Sequence, residues 1–110
     1  MNNRLYKIDE EIVKALSCIF REEIKDPRID GMITISEAKI TRDFSHCNIY
    51  ISIYNSQNRN ECFKTINDSA NFIRKKLAER IDLRVMPELH FHLDETLDYV
   101  DKMNDLFKKI

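Results

Sequence analysis

Pro87 is followed by Leu89, Phe91 and Leu93, with Glu88, His90 and His92 set between them, and this short stretch fixes one strand of the fold. Proline cannot continue a preceding helix or donate to a central ladder, so it marks the start of an element. The alternation behind it is the period of a strand with one buried face, which Asp94 closes. The same period returns from His46 to Tyr54, where Cys47, Ile49, Ile51 and Ile53 share one face and Asn48, Tyr50, Ser52 and Tyr54 share the other. Met32 to Ile40 is rich in isoleucine and alternates as well, and Asp43 to Ser45 forms the connection, so residues 32–54 read as a β-hairpin with one core face and one open face.

Between and around these strands the period changes to that of a helix. Ile8, Ile12, Leu16, Ile19, Phe20 and Ile24 predict a first helix from about Lys7 to Lys25. Asp26-Pro27 ends it, because the residue before a proline disfavours helical backbone. Arg28-Ile29-Asp30-Gly31 is a turn holding the only glycine of the chain, and Asn55-Ser56-Gln57-Asn58 is a polar loop. Phe63, Ile66, Ala70, Ile73, Leu77 and Ile81 then continue at steps of three and four. A last helix is expected from Thr96, with Asp94, Glu95 and Asp98 at its positive end and Lys108 and Lys109 at its negative end. The expected order is α-β-β-α-α-β plus this C-terminal helix, an α+β chain with a three-stranded mixed sheet covered by helices on one face.

A length of 110 residues with 43% hydrophobic content predicts a single domain, 1–95 as its core and 96–110 as the terminal helix. No signal-like or membrane-length apolar run is present, so a cytoplasmic location is expected. Cys18, Cys47 and Cys62 show no CxxC spacing and read as reduced thiols, with Cys18 and Cys47 at core positions. The net charge of −1 gives no general attraction to polyanions, but the distribution is uneven: residues 59–84 hold 7 basic side chains against 4 acidic ones. A polyanion would be oriented by that segment, although a basic helix face is also what ordinary solvation produces.

No catalytic constellation is visible. A single glycine excludes phosphate-cradling glycine loops, and the carboxylates Asp9, Glu10, Glu11, Glu22 and Glu23 lie beside no nucleophile. His90 and His92 share a strand face with Asp94 next in register, but a metal site normally draws three or four convergent ligands, so neither metal nor other cofactor is expected.

Asp26-Pro27-Arg28 at the end of the first helix, the hairpin around Arg42-Asp43-Phe44-Ser45, Phe72-Ile73-Arg74, and Arg84 through Asp94 occur here in an order and spacing that resembles bacterial ribosome-binding factor A, nearly end to end. The resemblance implies a type II KH-like domain and a non-enzymatic assembly factor. Such a factor would bind free 30S subunits as a monomer and promote late maturation and 5′-end processing of 16S rRNA. It would use no small-molecule substrate and no membrane. KH domains approach the phosphate backbone through a GXXG loop, which this chain lacks. The family replaces that loop with a kink of alanine, any residue and glycine; the aligned residues here are Ser69-Ala70-Asn71.

Both outer positions depart from the family pattern. Asparagine enters the left-handed region most readily after glycine, and serine caps helices, so Asn71 is expected at positive φ with Ser69 opening the second helix. The unbroken apolar period keeps a second reading open, one continuous helix from Asn60 to Ile81. The resemblance places RNA contacts at Ser69, Ala70, Asn71, Arg74, Lys75, Lys76, Arg80 and Arg84, where lysine supplies point charge and arginine a planar fork for phosphate. Two alternatives come from the residues themselves: a generic single-stranded RNA reader stacking bases on Tyr50 and Tyr54 of the open sheet face, and a metal-dependent protein built on His90 and His92.

Overall fold

The structure is a computed structural model, and it describes residues 3–94. The helix expected from Thr96 lies outside the described residues. Helix α1 spans Asn3–Glu22, strands β1 and β2 span Met32–Ile40 and His46–Tyr54, helices α2 and α3 span Arg59–Asp68 and Ala70–Arg80, and strand β3 spans Glu88–Leu93. This is the expected α-β-β-α-α-β order, with both hairpin strands at their expected limits.

The sheet has the order β1-β2-β3 and is mixed, as expected: β1 pairs with β2 antiparallel and β2 with β3 parallel. Register aligns the apolar positions into rows across the three strands. Ile40, Cys47 and Leu89 form one row, Ala38, Ile49 and Phe91 the next, and Ile35, Ile51 and Leu93 a third. A bulge between Ile35 and Glu37 shifts the inward phase of β1 from odd to even positions, which is why Ile33 and Ile35 but also Ala38 and Ile40 face the core.

Helices close that face. Ile12, Leu16 and Ile19 of α1, Ile66 of α2, and Ile73 and Leu77 of α3 are all completely buried against the sheet rows. Phe91 is 4% exposed and meets Phe20 edge to face, with ring centroids 6.1 Å apart. Each such side chain contributes about 1.5–3 kcal/mol by leaving water, so the cluster dominates stability.

α1 begins and ends earlier than its apolar period predicts. Leu5 packs on the core one turn before Ile8, which draws the helix start forward to Asn3. At the other end the Glu23 and Ile24 amides both donate to the Ile19 carbonyl, at 2.8 and 3.1 Å, and close the helix before Pro27 acts. Gly31 sits at φ +77°, and a Cβ there would meet the Tyr54 carbonyl oxygen at 2.5 Å, so this turn requires glycine. Cys47 and Cys62 are the fully buried thiols, whereas Cys18 is half-buried on α1 rather than in the core. Burial pushes the Cys47 thiol up to about 12.

Candidate nucleic-acid interface

Ser69 alone separates α2 from α3. α2 opens on Asn58, whose side chain accepts the Glu61 amide at 3.0 Å. It ends where Ser69 adopts φ −92° and ψ 6°, well off the ψ of about −42° that would continue a helix. The Ser69 amide is shared between the Thr65 and Ile66 carbonyls, and its own carbonyl accepts from Ile73 at 2.9 Å. The continuous helix is therefore interrupted, but not in the way the family's glycine predicts. Among the described residues only Phe44 and Asn55 are non-glycine residues at positive φ; Asn71 lies within α3 with ordinary helical sign, and the Ser69 side chain makes no cap hydrogen bond. A change in ψ at a half-buried serine makes the break, and no left-handed residue is needed.

The eight expected contact residues divide into groups. Asn71 and Lys75 are exposed one turn apart on α3, and Arg84 is exposed in the linker to β3. Lys75 and Arg84 pair with no described residue. Arg74 is exposed but turned to the fold: Nε donates to the Pro87 carbonyl at 2.9 Å and Nη2 to the Met86 carbonyl at 2.6 Å. Lys76 and Arg80 face the acidic end of α1. Arg80 forks onto Glu23 at 3.2 Å and Glu22 at 3.3 Å, while Lys76 lies 4.0 Å from Glu23 and 3.7 Å from Glu79. Their charges are largely answered within the molecule. Ser69 and Ala70 are half-buried at the junction itself.

Phe72 is the residue that charge reasoning missed. It is 46% exposed, off the Ile73 and Leu77 stripe, with the Lys76 ammonium 5.5 Å from its ring centroid. A large aromatic out of phase with the apolar stripe was the available signal. Asn71, Phe72 and Lys75 offer an amide, a ring and an open cation on the first turns of α3, a combination suited to backbone phosphate and an unstacked base, and Arg84 adds a second open cation in the linker that follows the helix. Arg28 does not join them: Asp26 holds its Nε and Nη2 at 3.1 and 2.7 Å, and this pairing keeps the Asp26 carboxyl below its usual range.

On the open sheet face Tyr54 is exposed, whereas Tyr50 and the histidines are engaged with one another and their neighbours. The Tyr50 ring is stacked on His92 at 5.1 Å, and His92 Nε2 lies 2.9 Å from Asn48 Oδ1, so Tyr50 is already covered on one side. His90 and His92 do not converge; His90 turns instead to His46 and Glu88. Among the described residues, no helix is long and apolar enough to cross a membrane.

Comparison with known proteins agrees with this architecture. The sequence model of the family described as Ribosome-binding factor A matches residues 4–107. A ribosome-binding factor A of Caldanaerobacter subterraneus is 35% identical over 111 residues, covering 100% of this chain and 91% of the relative. One of Clostridium novyi is 35% identical over 108 residues, covering 97% and 89%. The crystal structure of ribosome-binding factor A from Thermus thermophilus superposes with a TM-score of 0.71 at 18% identity, over 81% of this chain and 93% of that one. A homology model of the Thermus thermophilus ribosome binding factor A, fitted into a cryo-EM map of its 30S complex, gives 0.65 at 19% identity, over 78% and 90%. With its family match running almost end to end and its relatives covered nearly whole, this chain belongs to the ribosome-binding factor A family.

Proposed function

We infer that the chain is a non-enzymatic assembly factor that binds free small ribosomal subunits and promotes late maturation of 16S rRNA, including processing of its 5′ end. The observation that carries this reading is the exposed Asn71, Phe72 and Lys75 just after the α2–α3 junction, with exposed Arg84 in the linker after α3, in a chain whose family includes a protein fitted into a 30S complex. It acts as one monomeric, cytoplasmic domain of residues 1–110, and it needs no substrate of its own. Within the set Ser69, Ala70, Asn71, Arg74, Lys75, Lys76, Arg80 and Arg84, the unpaired Lys75 and Arg84 meet phosphate directly. Ser69 and Ala70 set the approach of the backbone and Asn71 contacts the nearest nucleotide. Lys76 and Arg80 add charge from behind their carboxylate partners, and Arg74 orients the helix against the β3 linker.

Binding promotes maturation only if the factor prefers one state of the subunit, because a ligand with equal affinity for two states shifts neither. The proposed role is thus differential affinity for an immature arrangement of rRNA at the site. Cosedimentation tests it. The chain should pellet saturably with isolated small subunits and be left in the supernatant with intact ribosomes. Failure to pellet with small subunits, or equal pelleting with both, contradicts the reading.

A further inference from the structure

Parallel pairing places His46, the first residue of β2, directly opposite Glu88, the first residue of β3. His90 follows two residues later and so returns to the same outer face. His46 Nδ1 lies 3.0 Å from His90 Nε2 and 3.8 Å from Glu88 Oε2, and one ligand atom from each of the three falls within 4.8 Å of the others. Bonds of about 2.0–2.1 Å at a tetrahedral ion put ligand atoms roughly 3.4 Å apart. The measured separations to His46 straddle that value, and the side chains of His46 and Glu88 are exposed enough to rotate by the remaining fraction.

The backbone beneath the three is held. The His46 amide donates to Thr41 Oγ1 at 3.1 Å and its carbonyl accepts the Thr41 amide at 2.9 Å. The Glu88 amide donates to the Ser45 carbonyl at 2.9 Å. Two facing ring nitrogens at 3.0 Å require one shared proton between them, and a divalent ion can take that proton's place with both rings neutral. Two imidazoles and one carboxylate, with the remaining coordination position open to solvent, are the donors of a zinc-class site.

We propose that His46, Glu88 and His90 form a binding site for a divalent transition-metal ion of the zinc type, clipping the start of β3 to the start of β2 on the open sheet face. The site shares no residue with the eight expected RNA contacts and does not depend on the ribosomal role. Nitrogen donors make it a poor site for magnesium.

Zinc chloride titrated into the untagged 110-residue chain, followed by calorimetry and by the histidine ring signals in NMR, tests the proposal. Saturable binding of one ion, with the His46 and His90 rings shifted and His92 unmoved, is expected, and excess magnesium should not displace it. His46→Ala and His90→Ala should each weaken binding by more than about tenfold, since even outer-shell changes commonly cost that much, while His92→Ala should leave it unchanged. Glu88→Gln, a conservative change on an exposed side chain, should also weaken binding. Absence of saturation at millimolar zinc, or binding that survives both histidine substitutions, overturns the proposal.

Discussion

Replacing Arg74 with alanine should destabilise the fold rather than merely remove a surface charge. Its guanidinium holds the Pro87 and Met86 carbonyls at 2.9 and 2.6 Å, immediately before β3 begins at Glu88. Hydrogen bonds from a charged donor are worth about 1.5–3 kcal/mol each when shielded. Arg74 is exposed and water can replace part of what is lost, so about 2 kcal/mol for the pair is the expected cost. Arg74→Lys should recover less than half of it, because an ammonium cannot reproduce the two-pronged geometry. Urea melts measure this directly, with an unchanged slope confirming that the same surface is exposed on unfolding. An Arg74→Ala variant within about 0.5 kcal/mol of the parent would refute the reasoning and return the residue to the surface.

Other consequences can be checked on the same footing. Phe91→Ala should cost about 3–5 kcal/mol in denaturant melts, because the ring is buried at the β3 end of the middle row and leaves a cavity beside Phe20. Asp43 receives the Ser45 and Thr41 hydroxyls and the Ser45 amide, which hold its carboxyl at about 2 against an ordinary 3.8. A pKa lowered on folding gives stability that is present above the unfolded value and lost as pH falls through the folded one. Thermal melts should therefore show Asp43→Asn less stable than the parent at neutral pH, with the gap closing as pH falls from about 4 to about 2. With Asn71 inside α3, Asn71→Gly should lose up to about 0.5 kcal/mol in melts while Asn71→Val stays near neutral.

The strands and most of the core were legible because their signals are local. Cys47 to Ile53 and Leu89 to Leu93 carry a strict two-residue period that only a one-sided sheet uses, and the structure buries those faces. The break at Ser69 was not legible from periodicity, since α2 and α3 both lay their apolar residues on the same sheet and the stripe from Ile66 to Ile73 passes through it intact. The resemblance placed a break there but assigned the unusual backbone to Asn71, whereas ψ at Ser69 carries it. The fate of the cations was hidden for a different reason. Glu22 and Glu23 meet Arg80 across more than fifty residues of sequence, and the linker carbonyls that take Arg74 follow it by a dozen. His46 likewise reaches His90 only through the parallel register, which no local pattern in either strand specifies.

That α3 and the linker after it meet rRNA through the unpaired Lys75 and Arg84 is tested best by the salt dependence of binding to isolated small subunits. Each phosphate contact removed should reduce the slope of log affinity against log salt by about 1. The double variant Lys75→Ala, Arg84→Ala should bind more weakly with a slope reduced by about 2, whereas Lys76→Ala, Arg80→Ala, whose charges already face Glu22 and Glu23, should change the slope by less than about 1. A folded Lys75, Arg84 double variant that keeps the parent's affinity and slope at every salt concentration would contradict the account.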